Sequence, residues 1–322
     1  MLLGFVAAAI AVLAAFPHVA TPYYVTLVLP AFAYAIALLG FNLLFGTTGL
    51  LSFGHALFVA IGAYGAAVLS SRLGVRSLEV ILLASALAAV LAALPVALLS
   101  VRYVRIFFGI LTLALSQVLW SLAFKFFWVT GGTDGIRVAS AKLTLLGGLV
   151  NFAGPGSFQR FVFAYYYYVL GLFALATVIM WVVVHSPFGK ALQAIRDNET
   201  RASFVGISVR RYRWIAFVIS GAFTGLAGVL WVPLNGLTTP DILYWPFSGE
   251  IVFMSVLGGF RTFTGPIVGA VVFNYLKTYA VASTEYWQLL LGVVLVALVL
   301  ALPSGIVGTA ARLAARFTRG TS

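Results

Sequence analysis

Long apolar runs separated by short polar punctuation dominate this chain. Ten segments stand out: Leu2–Phe16, Tyr23–Phe45, His55–Ser70, Val80–Ser100, Ile106–Phe127, Phe161–Val184, Trp214–Leu234, Ser248–Phe260, Pro266–Ser283 and Tyr286–Leu302. A helix needs about 20 mostly apolar residues to cross a bilayer, and several of these runs reach that length. Others are short enough to require tilt, local thinning or only partial insertion. The runs lack the apolar/polar alternation of membrane β-barrel strands. The pattern therefore predicts an all-α, polytopic membrane protein of about ten transmembrane or half-membrane helices, organised as one domain over residues 1–322. The first run lacks a basic leader, which favours a retained span over a cleaved signal.

Two Gly-rich interruptions, Gly46–Gly54 (GTTGLLSFG) and Gly258–Pro266 (GGFRTFTGP), break the pattern between apolar helices. Irregular backbone at membrane depth survives only when buried in protein or lining a watery cavity. Paired breaks can mark transporter sites; tight turns at the membrane surface fit the same residues. Between the helices, TGGTDG (Thr130–Gly135) reads as a turn, Leu143–Val150 as a small interfacial helix, and Gly236–Phe247 as a Pro-containing loop.

The segment His185–Arg213 departs most from the apolar background. Ser186 and Pro187 read as an N-cap and first helical position. Phe188, Ala191, Leu192 and Ile195 then recur at helical spacing, with Lys190, Gln193, Arg196 and Asn198 facing away. Gly206 is placed to end the helical region, and Arg210, Arg211 and Arg213 to anchor the next span at the lipid surface. Such a helix could grip a soluble partner, lie on headgroups or pack beneath its neighbours.

Composition sharpens this picture. Hydrophobic residues make up 63% of the chain and charged residues 8%, which excludes a water-soluble globule. The net charge of +12 reads as cytoplasmic loops rather than nucleic-acid binding. Alternating ten spans from a cytoplasmic N-terminus puts Arg102, Arg105, the basic loop, Arg261, Arg312, Arg316 and Arg319 on one side, so both termini are expected in the cytoplasm. Arg72 and Arg76 fall on the other side. The absence of cysteine excludes disulfides and thiolate chemistry.

Polar residues inside spans are costly and often functional. Asn42, Ser52 and His55 surround the first break; Ser116 and Gln117 lie mid-span; Glu250 and Lys277 sit in late segments, where each could snorkel outward or the two could pair. For His55 a satisfied structural hydrogen bond competes with solute contact. Asn42, Ser52, His55, Ser116, Gln117 and Glu250 are the candidates for a translocation path. Asp134 and Asp241, in outer loops, are candidates for contact with a binding protein. The aromatic run Tyr165–Tyr168 reads as a packing face and interfacial anchor. No G-x-x-x-x-G-K-[ST] loop is present, and the three histidines have no neighbouring metal ligands, so neither a nucleotide site nor a metal site is expected.

Five stretches resemble the membrane permease subunits of branched-chain amino acid ABC importers: NLLFGTTGLLSFGHALFVAIGAYGAA (Asn42–Ala67), TGGTDGI (Thr130–Ile136), the segment from Ser186 through Leu230, SGEIVFMSVLGGFRTFTGPIVGAVVF (Ser248–Phe273) and ALPSGIVG near the C-terminus. The similarity runs from about Tyr34 to Gly308 and is closer to the LivM type than to the LivH type. It implies the ABC importer permease fold in a bacterial inner membrane. It also implies a LivH-type second permease, two cytoplasmic ATPases carrying ATP and Mg, and a periplasmic substrate-binding protein, with no cofactor or catalysis on this chain. By the same resemblance, loop 185–213 is the element that docks on an ATPase. Ser186, Pro187, Phe188, Gly189, Lys190, Leu192, Ile195, Arg196, Asp197, Glu199 and Gly206 belong to it. Phe188, Leu192 and Ile195 would be the buried contact, and Arg196, Asp197 and Glu199 the polar rim. The acidic-alanine pattern of other importer classes is incomplete, since Thr200 and Arg201 follow Glu199. Permeases for urea, short amides or other small solutes share the scaffold. A stand-alone carrier or channel is the alternative class, and a membrane enzyme lacks a catalytic constellation.

Overall fold

The computed structural model describes residues 13–139, 143–145, 150–151 and 157–319. The run Leu2–Phe16 falls mostly outside them, and with it the expected first span. Thirteen helices are defined among the described residues: α1 Pro22–Asn42, α2 His55–Ser71, α3 Leu78–Ser100, α4 Arg105–Lys125, α5 Phe127–Thr130, α6 Ser157–His185, α7 Pro187–Asp197, α8 Glu199–Phe204, α9 Val209–Asn235, α10 Trp245–Gly258, α11 Gly265–Ser283, α12 Trp287–Ala301 and α13 Gly305–Arg319. Among the described residues, six stretches are long and apolar enough to cross a membrane: Pro22–Thr47, Leu78–Ser100, Arg105–Lys125, Phe158–His185, Val209–Asn235 and Trp287–Leu313. The chain is a multi-pass membrane protein.

Burial separates the centre of the bundle from its rim, although hydropathy does not. The apolar window in Pro22–Thr47 is 83% buried and that in Trp287–Leu313 only 17%, while both are strongly apolar. Central α1 packs on α9, α11 and α6, and α9 is also the partner of α2 and α3. The α2–α9 contact is close because neither helix has a side chain at the crossing. A Cβ at Gly62 would come within 2.0 Å of the Gly225 carbonyl oxygen, and one at Gly228 equally near that of Val59. Small residues replace the missing hydrophobic drive between membrane helices with backbone-to-backbone packing.

The two Gly-rich breaks differ. Gly258–Pro266 is a tight turn, with Gly259 in the left-handed region (φ 109°) and Thr262 N–H donating to the Gly259 carbonyl. The other is longer. α1 ends in a π turn, Leu43–Thr47, and an irregular strip then leads to α2. That strip reaches deep into the bundle: Gly54 packs on Thr112, and His55 meets Ser220, eleven residues into α9 and so about 16 Å along it. The breaks touch, with Phe45 stacked on Phe260 at 4.5 Å and Asn42 Nδ2 donating to the Thr262 carbonyl at 3.4 Å.

α10 has 14 residues and is about 21 Å long, short of a full crossing. Its entry is held at depth: the Leu243 carbonyl accepts from Ser116 Oγ at 3.1 Å, eleven residues into α4. Ser248 Oγ accepts from Ala56 N–H at 3.1 Å. Two part-length helices, α2 and α10, thus begin beside each other inside the bundle. The segment before α10 is therefore not a simple surface loop.

At the end away from α7, β1 (Ile136–Arg137) pairs antiparallel with β4 (Leu237–Thr238), pinning the TGGTDG turn to the loop before α10. The helix expected over Leu143–Val150 lies partly outside the described residues, and its described ends are not helical. Thr144–Leu145 and Val150–Asn151 are instead strands β2 and β3 of an antiparallel pair. Tyr165 and Tyr166 are fully buried, and Tyr165, Tyr166 and Tyr167 donate to the carbonyls of Leu230, Leu13 and Ala14. Most of this aromatic run is packing.

Candidate functional site

The polar segment after α6 folds as two helices. Ser186 Oγ caps α7 by accepting from Gly189 N–H at 3.4 Å, with Pro187 at the first helical position. Asn198 ends α7 and caps α8, its side chain accepting from Arg201 N–H at 2.9 Å. Gly206, at φ 87°, turns the chain towards α9. Gly189 is buried where a Cβ would collide with the Val184 carbonyl, so α7 folds back tightly under α6.

The amphipathic stripe of α7 is spent on this chain itself. Leu192 and Ile195 are buried in a cluster with Leu44, Leu50, Met180 and Phe217, and Phe188 stacks on Tyr212 at 5.5 Å. Leu192 and Ile195, expected in a partner's buried contact, instead clamp α7 to its own bundle, and half-buried Phe188 packs there as well. The polar rim is partly used as well. Arg196 donates to the Gly46 carbonyl at 2.6 Å and pairs with Asp197, tying α7 to the π turn. Glu199 takes both guanidinium nitrogens of Arg213, at 2.9 and 2.7 Å. Arg213 is buried by this pair rather than anchoring α9 at the lipid surface, whereas Arg210 and Arg211 are exposed.

Lys190, Asp197 and Thr200 face outward, together with two residues the periodicity did not single out. Phe204 and Val205, at the end of α8, are 85% and 76% exposed. A bulky apolar pair at the tip of a polar, basic loop is where a partner surface gains most by burial. An aromatic next to a β-branched residue just before a glycine was the only sequence signal for it.

Deeper in the bundle the path candidates separate. Ser52, His55 and Ser220 form one buried chain, with His55 Nδ1 2.9 Å from Ser52 Oγ and Nε2 2.7 Å from Ser220 Oγ. Phe41 meets the imidazole edge-on at 4.9 Å. Both ring nitrogens are satisfied within the protein and the ring is fully enclosed. Ser220 lies 165 residues away in sequence, beyond the reach of local pattern. Ser116 is committed to the Leu243 carbonyl. Asn42 uses its amide on Thr262, and its Oδ1 has no partner among the described residues. Gln117 is half-buried with a buried, unpartnered Nε2. Glu250 pairs with Lys277, its neighbour across the α10–α11 hairpin. Asp134 and Asp241 are both exposed at the end away from α7, the latter accepting from Thr239 Oγ1. No group of three or more metal-ligating side chains occurs among the described residues.

Comparison with known proteins puts this geometry in context. Residues 23–299 match the family described as branched-chain amino acid transport system / permease component. The chain is 30% identical over 292 residues to the high-affinity branched-chain amino acid transport system permease protein LivM of Escherichia coli K12. That match covers 85% of this chain and 67% of the relative. It is 29% identical over 319 residues to LivM of Salmonella typhimurium LT2, covering 94% and 74%. LivH of the same Salmonella strain is 24% identical over 308 residues, covering 85% and 91%. No solved structure matches the chain.

Proposed function

The chain belongs to the branched-chain amino acid transport permease family, and on that premise we propose that it is one of two unlike membrane subunits of an ATP-driven importer. In this reading it passes branched-chain amino acids, handed over by an extracytoplasmic binding protein, into the cytoplasm. Two ATPase subunits sit beneath the α7–α8 end and hydrolyse ATP; this chain carries no catalysis. Likeness to both LivM and LivH relatives supports a pair of related permeases. The excess of Lys and Arg at the α7–α8 end supports a cytoplasmic position for that end.

The observation that carries the proposal is the double attachment of α7. Its apolar face is locked into the bundle through Leu192 and Ile195, and Arg196 bonds the π turn at Gly46. Force applied to the outward side of α7–α8 would thus reach α1, α6 and α9 directly. The exposed Phe204–Val205 tip, with Asp197 and Lys190 also exposed on α7, supplies a surface for an ATPase cleft. Nucleotide-driven closure of the ATPases would shift the bundle between two packings, by as much as the ATPases discriminate between them.

A cross-linking experiment tests this. The chain has no native cysteine, so Val205→Cys gives a single thiol at the tip. In the assembled complex it should cross-link to an ATPase subunit and not to the binding protein. Cross-linking to lipid alone would overturn the docking role.

A further inference from the structure

Two cavities meet at Arg105. One, of about 610 Å³, is an apolar groove along α4, lined by Leu51, Phe53, Ile110, Leu113 and Trp245, with Gly49 and Arg105 at its lower end. The other, of about 450 Å³, is a polar mouth at the α7 end that also contains Gly49 and Arg105, along with Asp197, Glu199 and Arg213. Together they connect the deep start of α10, where Trp245 is half-exposed, to the aqueous surface under α7.

Arg105 carries the one charge on the groove wall. Both acids of the mouth are taken, Asp197 by Arg196 and Glu199 by Arg213, and Arg105 has no ion-pair partner among the described residues. Its backbone is also the one non-glycine residue among them with positive φ, at 56°. Left-handed backbone is costly for such a residue and concentrates at functional sites. A cation at a helix N-terminus is itself unfavourable. Gln117 and Trp120 continue the groove's helix face outward, at four and seven residues beyond Leu113. Gln117 Nε2 lacks a partner, and Trp120 stacks on Tyr244 at 5.2 Å.

We propose that this groove is the inward half of the solute path, and that Arg105 receives the carboxylate of an apolar α-amino acid as it leaves for the polar mouth. The inference rests on the permease reading above. An aliphatic side chain would slide over Leu113, Ile110 and Phe53 while the carboxylate exchanges from water-filled space to the guanidinium. Arg105 is thereby a specificity-determining contact at the exit.

The test uses the assembled importer in proteoliposomes, with Leu113→Cys as the sole cysteine in this chain and Leu87→Cys, on the exposed face of α3, as a lipid-facing reference. A charged, water-soluble thiol reagent from the α7 side should label Leu113→Cys, leave Leu87→Cys unlabelled and block leucine uptake. Labelling by a lipid-soluble reagent alone would make the groove a lipid site, and labelling by neither would make it buried packing; each overturns the proposal. Arg105→Gln should slow leucine uptake by about tenfold, the loss of a charged hydrogen bond, with Arg105→Lys restoring part of it. Equal rates in all three would remove Arg105 from the path. If the unmodified complex carries no branched-chain amino acid, the permease reading itself fails, independently of the labelling.

Discussion

Lys277 Nζ lies 2.7 Å from both carboxylate oxygens of Glu250, joining α11 to α10 across their hairpin. Both side chains are mostly shielded, and Lys277 also sits 5.8 Å from the Trp287 ring. An ion pair so placed is worth little compared with well-packed apolar residues, but leaving one partner behind is costly. Glu250 was a path candidate from sequence; in the fold it holds two helices together.

Glu250→Gln should therefore lower the melting temperature of the detergent-solubilised protein, with a loss of about 3 kcal/mol. The double variant Glu250→Gln/Lys277→Met should recover much of that loss. A double variant as unstable as the single one would show that the pair does more than neutralise Lys277.

The α7–α8 element makes opposite predictions for its two faces. Ile195→Asp puts a charge into the cluster around Leu44 and Phe217, and should reduce the amount of folded protein recovered from membranes. Phe204→Ala changes a side chain that is 85% exposed. It should leave the stability, read from thermal melts, within about 0.5 kcal/mol while weakening ATPase-subunit binding, measured by co-purification. Unchanged co-purification would remove the tip from the interface.

Gly225→Leu should disrupt the bundle. A Cβ there would come within 2.2 Å of that of Ala89, and α3 cannot retreat without opening the α9 contact. Overpacking of this kind costs about 1–3 kcal/mol, read as a lower melting temperature. Full stability would mean that the α3–α9 contact is loose.

His55→Ala leaves Ser52 and Ser220 without their shared partner and opens a cavity beside Phe41. The expected cost is about 1–3 kcal/mol, seen in thermal melts, with uptake per folded complex largely kept. A large fall in uptake at normal stability would instead make His55 part of the path.

What could be read from the residues alone follows from which physics is local. Helix existence and approximate ends came from hydropathy runs, and the Ser186–Pro187 start and Gly206 stop came from capping chemistry. The amphipathic stripe of α7 was equally visible, but periodicity says only that Leu192 and Ile195 are buried, not by whose surface. The depth of His55 depends on Ser220, and that of Leu243 on Ser116; both are long-range contacts. The β1–β4 pairing joins loops about a hundred residues apart, through only two residues on each strand, too short for any alternation signal. Arg105 drew attention only as a topological charge, because its significance comes from what the fold withholds from it.

Uptake of radiolabelled leucine into proteoliposomes, with the binding protein present and the ATPase subunits and ATP added or left out, tests the central claim most directly. The account predicts accumulation only when this chain, the second permease, both ATPases and ATP are present together, and its loss when the Phe204–Val205 tip is replaced by acidic residues. Accumulation at the same rate without ATP or the ATPase subunits would contradict it.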